Sequence, residues 1–245
     1  MCFFIFSCKE EAKKTETIET AETIVNKAIE NAGGSLFENT EMSFVFRDIL
    51  YKSKQENGAY SLERIIKNSE VNIHDVLTNN GFVRKMNDRV VKLPDSMIAK
   101  YSNSINSVHY FLRLPYGLNA EAVQKKLVGE DTINGEVYYE IEVHFIKDGG
   151  GTDFNDVFMY WIHKENYTVD FLAYSYETNG GGIRFREAYN VRVVNGIRFA
   201  DYYNYKPNLL SVKLKNLDSL FQNNELIKVS KIETSTISVT PLNLQ

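Results

Sequence analysis

Between Val157 and Lys206 the chain reads VFMYWIHKENYTVDFLAYSYETNGGGIRFREAYNVRVVNGIRFADYYNYK, aromatic and β-branched runs separated by short clusters of turn residues. Such runs are strands, and breaks this short allow hairpins. Four antiparallel strands in sequence order therefore form the trunk of a large sheet, and the remaining elements are placed against it. Five Asn-Gly dipeptides, beginning at Asn57, Asn80, Asn134, Asn179 and Asn195, mark reversals along the whole chain. Repeated hairpins exclude an aldolase-type β/α barrel and a Rossmann fold, both of which alternate strands with helices throughout.

The hairpin at Asn195-Gly196 can be read residue by residue. A two-residue turn pairs Val194 with Ile197 and sets Arg192 opposite Phe199, so apolar positions of one strand face polar positions of the other. A three-residue turn with a bulge at Gly196 shifts the register by one and exchanges the faces. It would gather Ile183, Phe185, Tyr189, Val191 and Val193 with Ile197, Phe199, Tyr203 and Tyr205. Arg184, Arg186, Arg192 and Arg198 would then form a stripe on the opposite face. The patterning favours the bulged turn. The stripe reads either as a solvated face or as a contact for anionic headgroups, phosphate or an acidic partner, to which guanidinium forks are suited.

Upstream, Ile18, Ala21, Val25, Ala28 and Ala32 recur at helical spacing, and Gly33-Gly34 stops the helix. Met97, Tyr101, Ile105, Val108 and Leu112 make the stripe of a longer central helix, which Asp95 or Ser96 can cap and Pro115 and Gly117 end. Asn119 is placed to cap a short second helix through Lys126. Glu136–Ile146 alternates cleanly as a strand, a polar insert is expected near Asn216–Asn224, and a last strand at Leu226–Val239. The expected architecture is mainly β (α+β): a single large curved antiparallel sheet, a half-barrel, with the N-terminal and central helices packed on it. At 245 residues, without a Pro/Gly/Ser-rich linker, residues 18–245 are expected to form one domain.

The first residues, MCFFIFSCKE, set the cellular address. An apolar run ending in Phe6-Ser7-Cys8 resembles the lipobox of a bacterial lipoprotein signal peptide, which implies that Cys8 carries the lipid. A full signal peptide has a basic segment and roughly 7–15 apolar residues, so residues 1–7 read as a truncated remnant. Residues 8–17 are charged and poor in large apolar side chains, as a lipidated tether should be. Lys9-Glu10-Glu11 looks like the surface-export signal of Bacteroidota lipoproteins. Cys2 would leave with the signal, so the mature chain would contain no disulfide. A net charge of −4 and the lack of a polybasic run argue against nucleic acid as a partner.

No catalytic constellation stands out. Gly149-Gly150-Gly151 and Gly180-Gly181-Gly182 lack the Gly-Lys-Ser/Thr and following helix of a phosphate loop, and no G-x-S-x-G elbow occurs. His74, His109, His144 and His163 show no close ligand pair. His144 and His163 sit on strands that can be neighbours, which leaves a two-His site with Asp153 or Asp156, and hence a hydrolase or metal-dependent enzyme, as the alternative reading. No cofactor is expected.

The trunk aromatics point elsewhere. Phe158, Tyr160, Trp161, Phe171 and Tyr174 populate both faces of their strands. Both faces must be covered, or one must line a pocket. The helices can cover one; a bound apolar ligand or the sheet folding over its own core can cover the other. With Tyr139 before them and Phe185, Tyr189 and Tyr203 after, these residues are the candidate hydrophobic ligand contacts.

HYFLRLPYGL (109–118), NGGGIRFREAYNVR (179–192) and GIRFADYYNYKP (196–207) resemble a family of uncharacterised Bacteroidota lipoproteins, similar in turn to the lipoprotein-carrier (LolA/LolB-like) fold. That resemblance implies a curved sheet with helices plugging its concave face and a cavity able to hold acyl chains. The expected protein is a monomeric outer-membrane lipoprotein that binds a lipid or other amphiphile, periplasmic or surface-facing, tethered to the membrane by its N-terminal lipid. A ligand-free structural envelope protein is the remaining alternative.

Overall fold

The computed structural model describes residues 19–146, 155–177 and 180–242. Cys8, Lys9-Glu10-Glu11, residues 1–7 and 8–17, the Gly149–Gly151 loop, Asp153 and Asn179 lie outside the described residues.

Two seven-stranded antiparallel sheets make up most of the fold. The first contains β1 (Thr40–Phe46), β2 (Ile49–Glu56), β3 (Ala59–Lys67), β4 (Asn72–Thr78), β5 (Gly81–Met86) and β6 (Arg89–Val91), side by side in chain order. The second is a meander of β7 (Val123–Ile133), β8 (Glu136–Phe145), β9 (Val157–His163), β10 (Val169–Tyr176), β11 (Gly182–Val194), β12 (Ile197–Lys206) and β13 (Ile227–Ile232). The last strand, β14 (Thr234–Pro241), returns to pair with β1. Neither sheet closes into a barrel among the described residues. The mainly β class and the four-strand trunk are as the sequence predicts. Hydrogen bonding divides the expected sheet in two at Glu233, so the single C-terminal strand read from 226 to 239 is two strands in two sheets.

The N-terminal helix, α1 (Ala21–Ala32), starts with a capping box in which Thr20 and Thr23 satisfy each other's backbone N–H. It stops at Gly33, whose φ of 136° suits a residue without a Cβ. The central helix, α2 (Asp95–Leu112), has Pro94 at its cap with no side-chain hydrogen bond, so neither Asp95 nor Ser96 caps it. The helix expected from Asn119 to Lys126 does not form. A 3₁₀ turn covers Tyr116–Asn119, and Val123 onwards is strand, because its backbone pairs with β8 from Val123–Phe145 to Ile133–Glu136.

The Asn195-Gly196 turn has two central residues, with φ of 46° and 85°, and pairs Val194 with Ile197. Two positive φ values match the strand twist, which is why Asn-Gly favours this turn. The register correction comes further along: Tyr189 faces Asp201 and Arg192 faces Phe199, so Asn190 and Val191 together oppose Ala200. Asn190 tolerates the bulge with a φ of 48°. The expected bulge therefore exists, displaced from the turn. Arg192 accordingly lies on the Phe199 face while Val193 pairs with Arg198, and the four arginines do not form one stripe.

Both faces of the trunk are buried by the chain itself. On one, Ile24, Val25 and Ala28 of α1 pack with Tyr139, Ile141, Phe158, Tyr160, Ile162 and Leu172. On the other, Met159, Trp161, Phe171 and Phe185 lie beneath Leu217, Leu220 and Phe221. The last three belong to the segment expected to be a polar insert, and a short helix, α3 (Leu217–Gln222), runs through it. Leu217 is fully buried and the Phe221 ring sits 5.1 Å from Phe185 and 5.5 Å from Phe171.

Candidate functional site

A cavity of about 350 Å³ opens between the C-terminal half of α2 and the seam of the two sheets. Val108, Phe111 and Leu112 come from α2, Phe44 and Phe46 from β1, Tyr174 from β10, and Ala200, Tyr202 and Asn204 from β12. Alternation explains the set: Ala200, Tyr202 and Asn204 are successive same-face residues, facing away from Tyr203 and Tyr205. Pockets for small molecules start at about 300 Å³.

One charge is buried in this wall. Arg186 is 7 % exposed, lies directly opposite Asn204 in the ladder, and donates from Nη2 to the Tyr174 hydroxyl at 2.8 Å. Its guanidinium stacks 3.9 Å from the Phe111 ring centroid. Its Nε is buried without a hydrogen-bond partner, and so is Oδ1 of Asn204. Among the described residues, the remaining charged residue in the lining is Arg47, and no acidic side chain lines the cavity. A buried guanidinium normally has a carboxylate partner, and unmade hydrogen bonds at such depth are costly. The arrangement suits an apolar body with a hydrogen-bond acceptor at its end.

The other arginines are engaged differently. Arg192 pairs with Asp201 at 3.1 Å and Arg198 with Asp170 at 3.2 Å, while Arg184 donates to the Ile183 carbonyl. Of the nine aromatics considered as ligand contacts, Tyr174 lines the cavity. Tyr139, Phe158 and Tyr160 lie in the core beneath the helices, with the Tyr160 hydroxyl 3.2 Å from that of Tyr110. Trp161, Phe171 and Phe185 fall on the opposite face under α3. Tyr189 and Tyr203 stack at 4.0 Å on that same face, beside Lys228, whose Nζ is 3.3 Å from the Tyr203 ring. Phe44, Phe111, Tyr202 and Asn204 were not singled out by the sequence. The one signal for them is the alternation of Tyr202 and Asn204 around Tyr203.

His144 and His163 form no joint site. Tyr138 of β8 is opposite His163, and His144 is six residues further along β8, which separates them by roughly 20 Å at the rise of a strand. His144 contacts Glu142 at 3.0 Å, while Nδ1 of His163 accepts the N–H groups of Glu165 and Asn166 at 3.1 Å each. Among the described residues, the side chains with metal-compatible spacing are Asp131, Glu140 and Asp218, whose oxygens lie within 4.8 Å of one another. Burial, reinforced by Asp131, pushes Asp218 up to about 6, and burial with the nearby acids also raises Glu140. Trp161 Nε1 donates to Asp218 at 3.3 Å, so this cluster fastens α3 to the trunk.

These features have relatives of known fold. The chain belongs to a family of unknown function, DUF6503, whose profile matches residues 1–234. Its structure is similar to that of a LolA superfamily protein from Nitrosomonas europaea, with a TM-score of 0.52 over 92% of this chain and 96% of that one, at 13% identity. A DUF1329 family protein from Desulfovibrio piger aligns with a TM-score of 0.43, 12% identity and coverage of 89% and 92%. The Mycobacterium tuberculosis lipoprotein LppX aligns with a TM-score of 0.28, 12% identity and coverage of 64% and 89%. The fold is LolA-like. No curated protein sequence matches significantly. Among the described residues no helix is long and apolar enough to cross a membrane.

Proposed function

We propose that this protein is an envelope lipoprotein that binds a single amphiphile, apolar body in the cavity beside α2 and polar head on Arg186. The observation that carries the reading is Arg186 itself: a guanidinium 7 % exposed in an aromatic wall, with an unpartnered Nε and no acid in the lining among the described residues. Asn204 Oδ1 supplies an acceptor opposite it, so the fitting head offers both an acceptor and a donor, as a carboxyl, glycerol or amide group does. The LolA-like fold supports a carrier or binding role by analogy. Cys8 would anchor the chain to the outer membrane, with Lys9-Glu10-Glu11 as a Bacteroidota-type export signal and residues 18–245 as one binding domain.

A naturally fluorescent polyene fatty acid tests the cavity. Wild type should bind it, and gently extracted protein should carry a lipid by native mass spectrometry. Arg186→Gln should weaken binding about 10–100-fold, the worth of a buried charge-assisted hydrogen bond. Ala200→Leu should block the cavity. Absence of binding by folded wild type would leave a ligand-free structural role, and binding by both variants equal to wild type would place the lipid outside this cavity.

A further inference from the structure

Across α2 from that cavity, a cleft of about 160 Å³ lies between the last turns of the helix and strands β2 and β3. His109 and Arg113, four residues apart and so on one helix face, both line it, with Gln55, Asn106 and Tyr116. His109 is 1 % exposed and held edge-on between Phe44 and Tyr51. Its Nε2 donates to the Glu63 carbonyl at 3.3 Å, and because a carbonyl only accepts, Nε2 carries the proton. Nδ1 is left buried with no partner. Arg113 donates from Nη2 to the Phe37 carbonyl at 3.4 Å and to Gln55, and lies over the Tyr116 ring. Its Nε is buried and unpartnered as well. Among the described residues, no acidic one lines the cleft.

We infer that this cleft binds the carboxyl group of a small organic acid, together with one proton, between Arg113 and His109. One carboxyl oxygen accepts from Arg113 Nε–H. The other meets Nδ1 of His109, where a carboxylate and a neutral imidazole would oppose two lone pairs. A proton drawn from solvent converts that clash into a hydrogen bond, and no other bond is made or broken. Before binding, His109 is neutral: burial, aided by the Arg113 charge, pushes it down to about 4. Of the other charged groups on the packing elements, the Glu63 carboxylate binds His74, Arg64 and Asp75 pair with each other, and Glu38 acts on Tyr116. At about 30 Å³ per water the cleft holds about five waters, so the ligand has about five or six heavy atoms.

Sodium propionate is the probe, with sodium chloride at equal ionic strength as control. NMR of the imidazole nitrogens should show Nδ1 of His109 moving to its protonated position as propionate is added, and not with chloride. Calorimetry in two buffers of unlike ionisation enthalpy should give one proton taken up per propionate, and affinity should fall about tenfold per pH unit between about pH 6 and 7. Arg113→Lys, which keeps the charge but loses the Nε–H, should weaken binding at least about fivefold. If that variant misfolds, the wild-type proton count still decides. An unmoved His109 signal at saturating propionate, or binding without proton uptake, overturns the inference and leaves the cleft to water. Arg186→Gln should leave propionate binding unchanged, so this site and the amphiphile cavity fail or stand separately.

Discussion

Replacing Asp218 by Asn should stabilise the protein at neutral pH and stop doing so in acid. The carboxyl is fully buried, accepts from Trp161 and from the Ser219 N–H at 2.6 Å, and shares its surroundings with Asp131 and Glu140. Raising its pKa from 3.8 to about 6 means that ionising it in the folded state costs about 3 kcal/mol. The folded state therefore binds more protons than the unfolded one between about pH 4 and 6, so this group's stabilising contribution is full below about 4 and lost as pH rises through about 6. Asparagine removes the charge but weakens the bonds to Trp161 and Ser219, at a cost of about 1–1.5 kcal/mol. The net gain above pH 7 is about 1–2 kcal/mol, or about 2–8 °C in melting temperature for a domain of this size. Thermal unfolding followed by Trp161 fluorescence at several pH values measures it. A variant that melts lower than wild type above pH 7, or whose shift is the same in acid, would refute the reasoning.

Asp75 should behave oppositely. Burial alone would raise it, but hydrogen bonds from Arg84 and Arg64 outweigh this and hold it below the usual carboxylate range. Its contribution is present above about pH 4 and lost as pH falls, and Asp75→Asn should cost about 3–5 kcal/mol in urea unfolding. Phe221→Ala, which uncovers Phe171 and Phe185, should cost about 3 kcal/mol and increase binding of a hydrophobic dye. Gly196→Ala should cost about 1–2 kcal/mol in the same assay, since φ is +85° and a Cβ would fall 2.6 Å from Leu36 Cδ1. Expressed behind a complete lipoprotein signal peptide, the chain should incorporate labelled palmitate at Cys8, and Cys8→Ser should abolish both the label and sedimentation with membranes.

Local pattern carried the trunk. Its strands, both main helices and the need for a bulge between β11 and β12 can all be read from alternation and turn residues. The bulge position could not, because alternation demands one slip without saying where, and Asn190 accommodates positive φ as well as the turn does. α3 was hidden for a different reason. Six residues with Asp218 and Gln222 among them look polar, and only the apolar outer face of the trunk reveals that Leu217 and Phe221 have something to cover. Arg186 was masked by its own residue type. An arginine alternating with others on a strand reads as solvated, and its burial depends on Phe111 of a helix more than seventy residues earlier in the chain.

The division at Glu233 also orders events in time. β1 is made early, yet its second hydrogen-bonding neighbour, β14, is nearly two hundred residues later in the chain. Because chains emerge from synthesis N-terminal end first, the first sheet has a bare edge at Phe44 and Phe46 until the last strand arrives. Those two residues line the cavity beside α2. The nascent protein thus offers an unpaired strand and an unfinished apolar wall at the same place, a natural target for a holding chaperone until β14 docks.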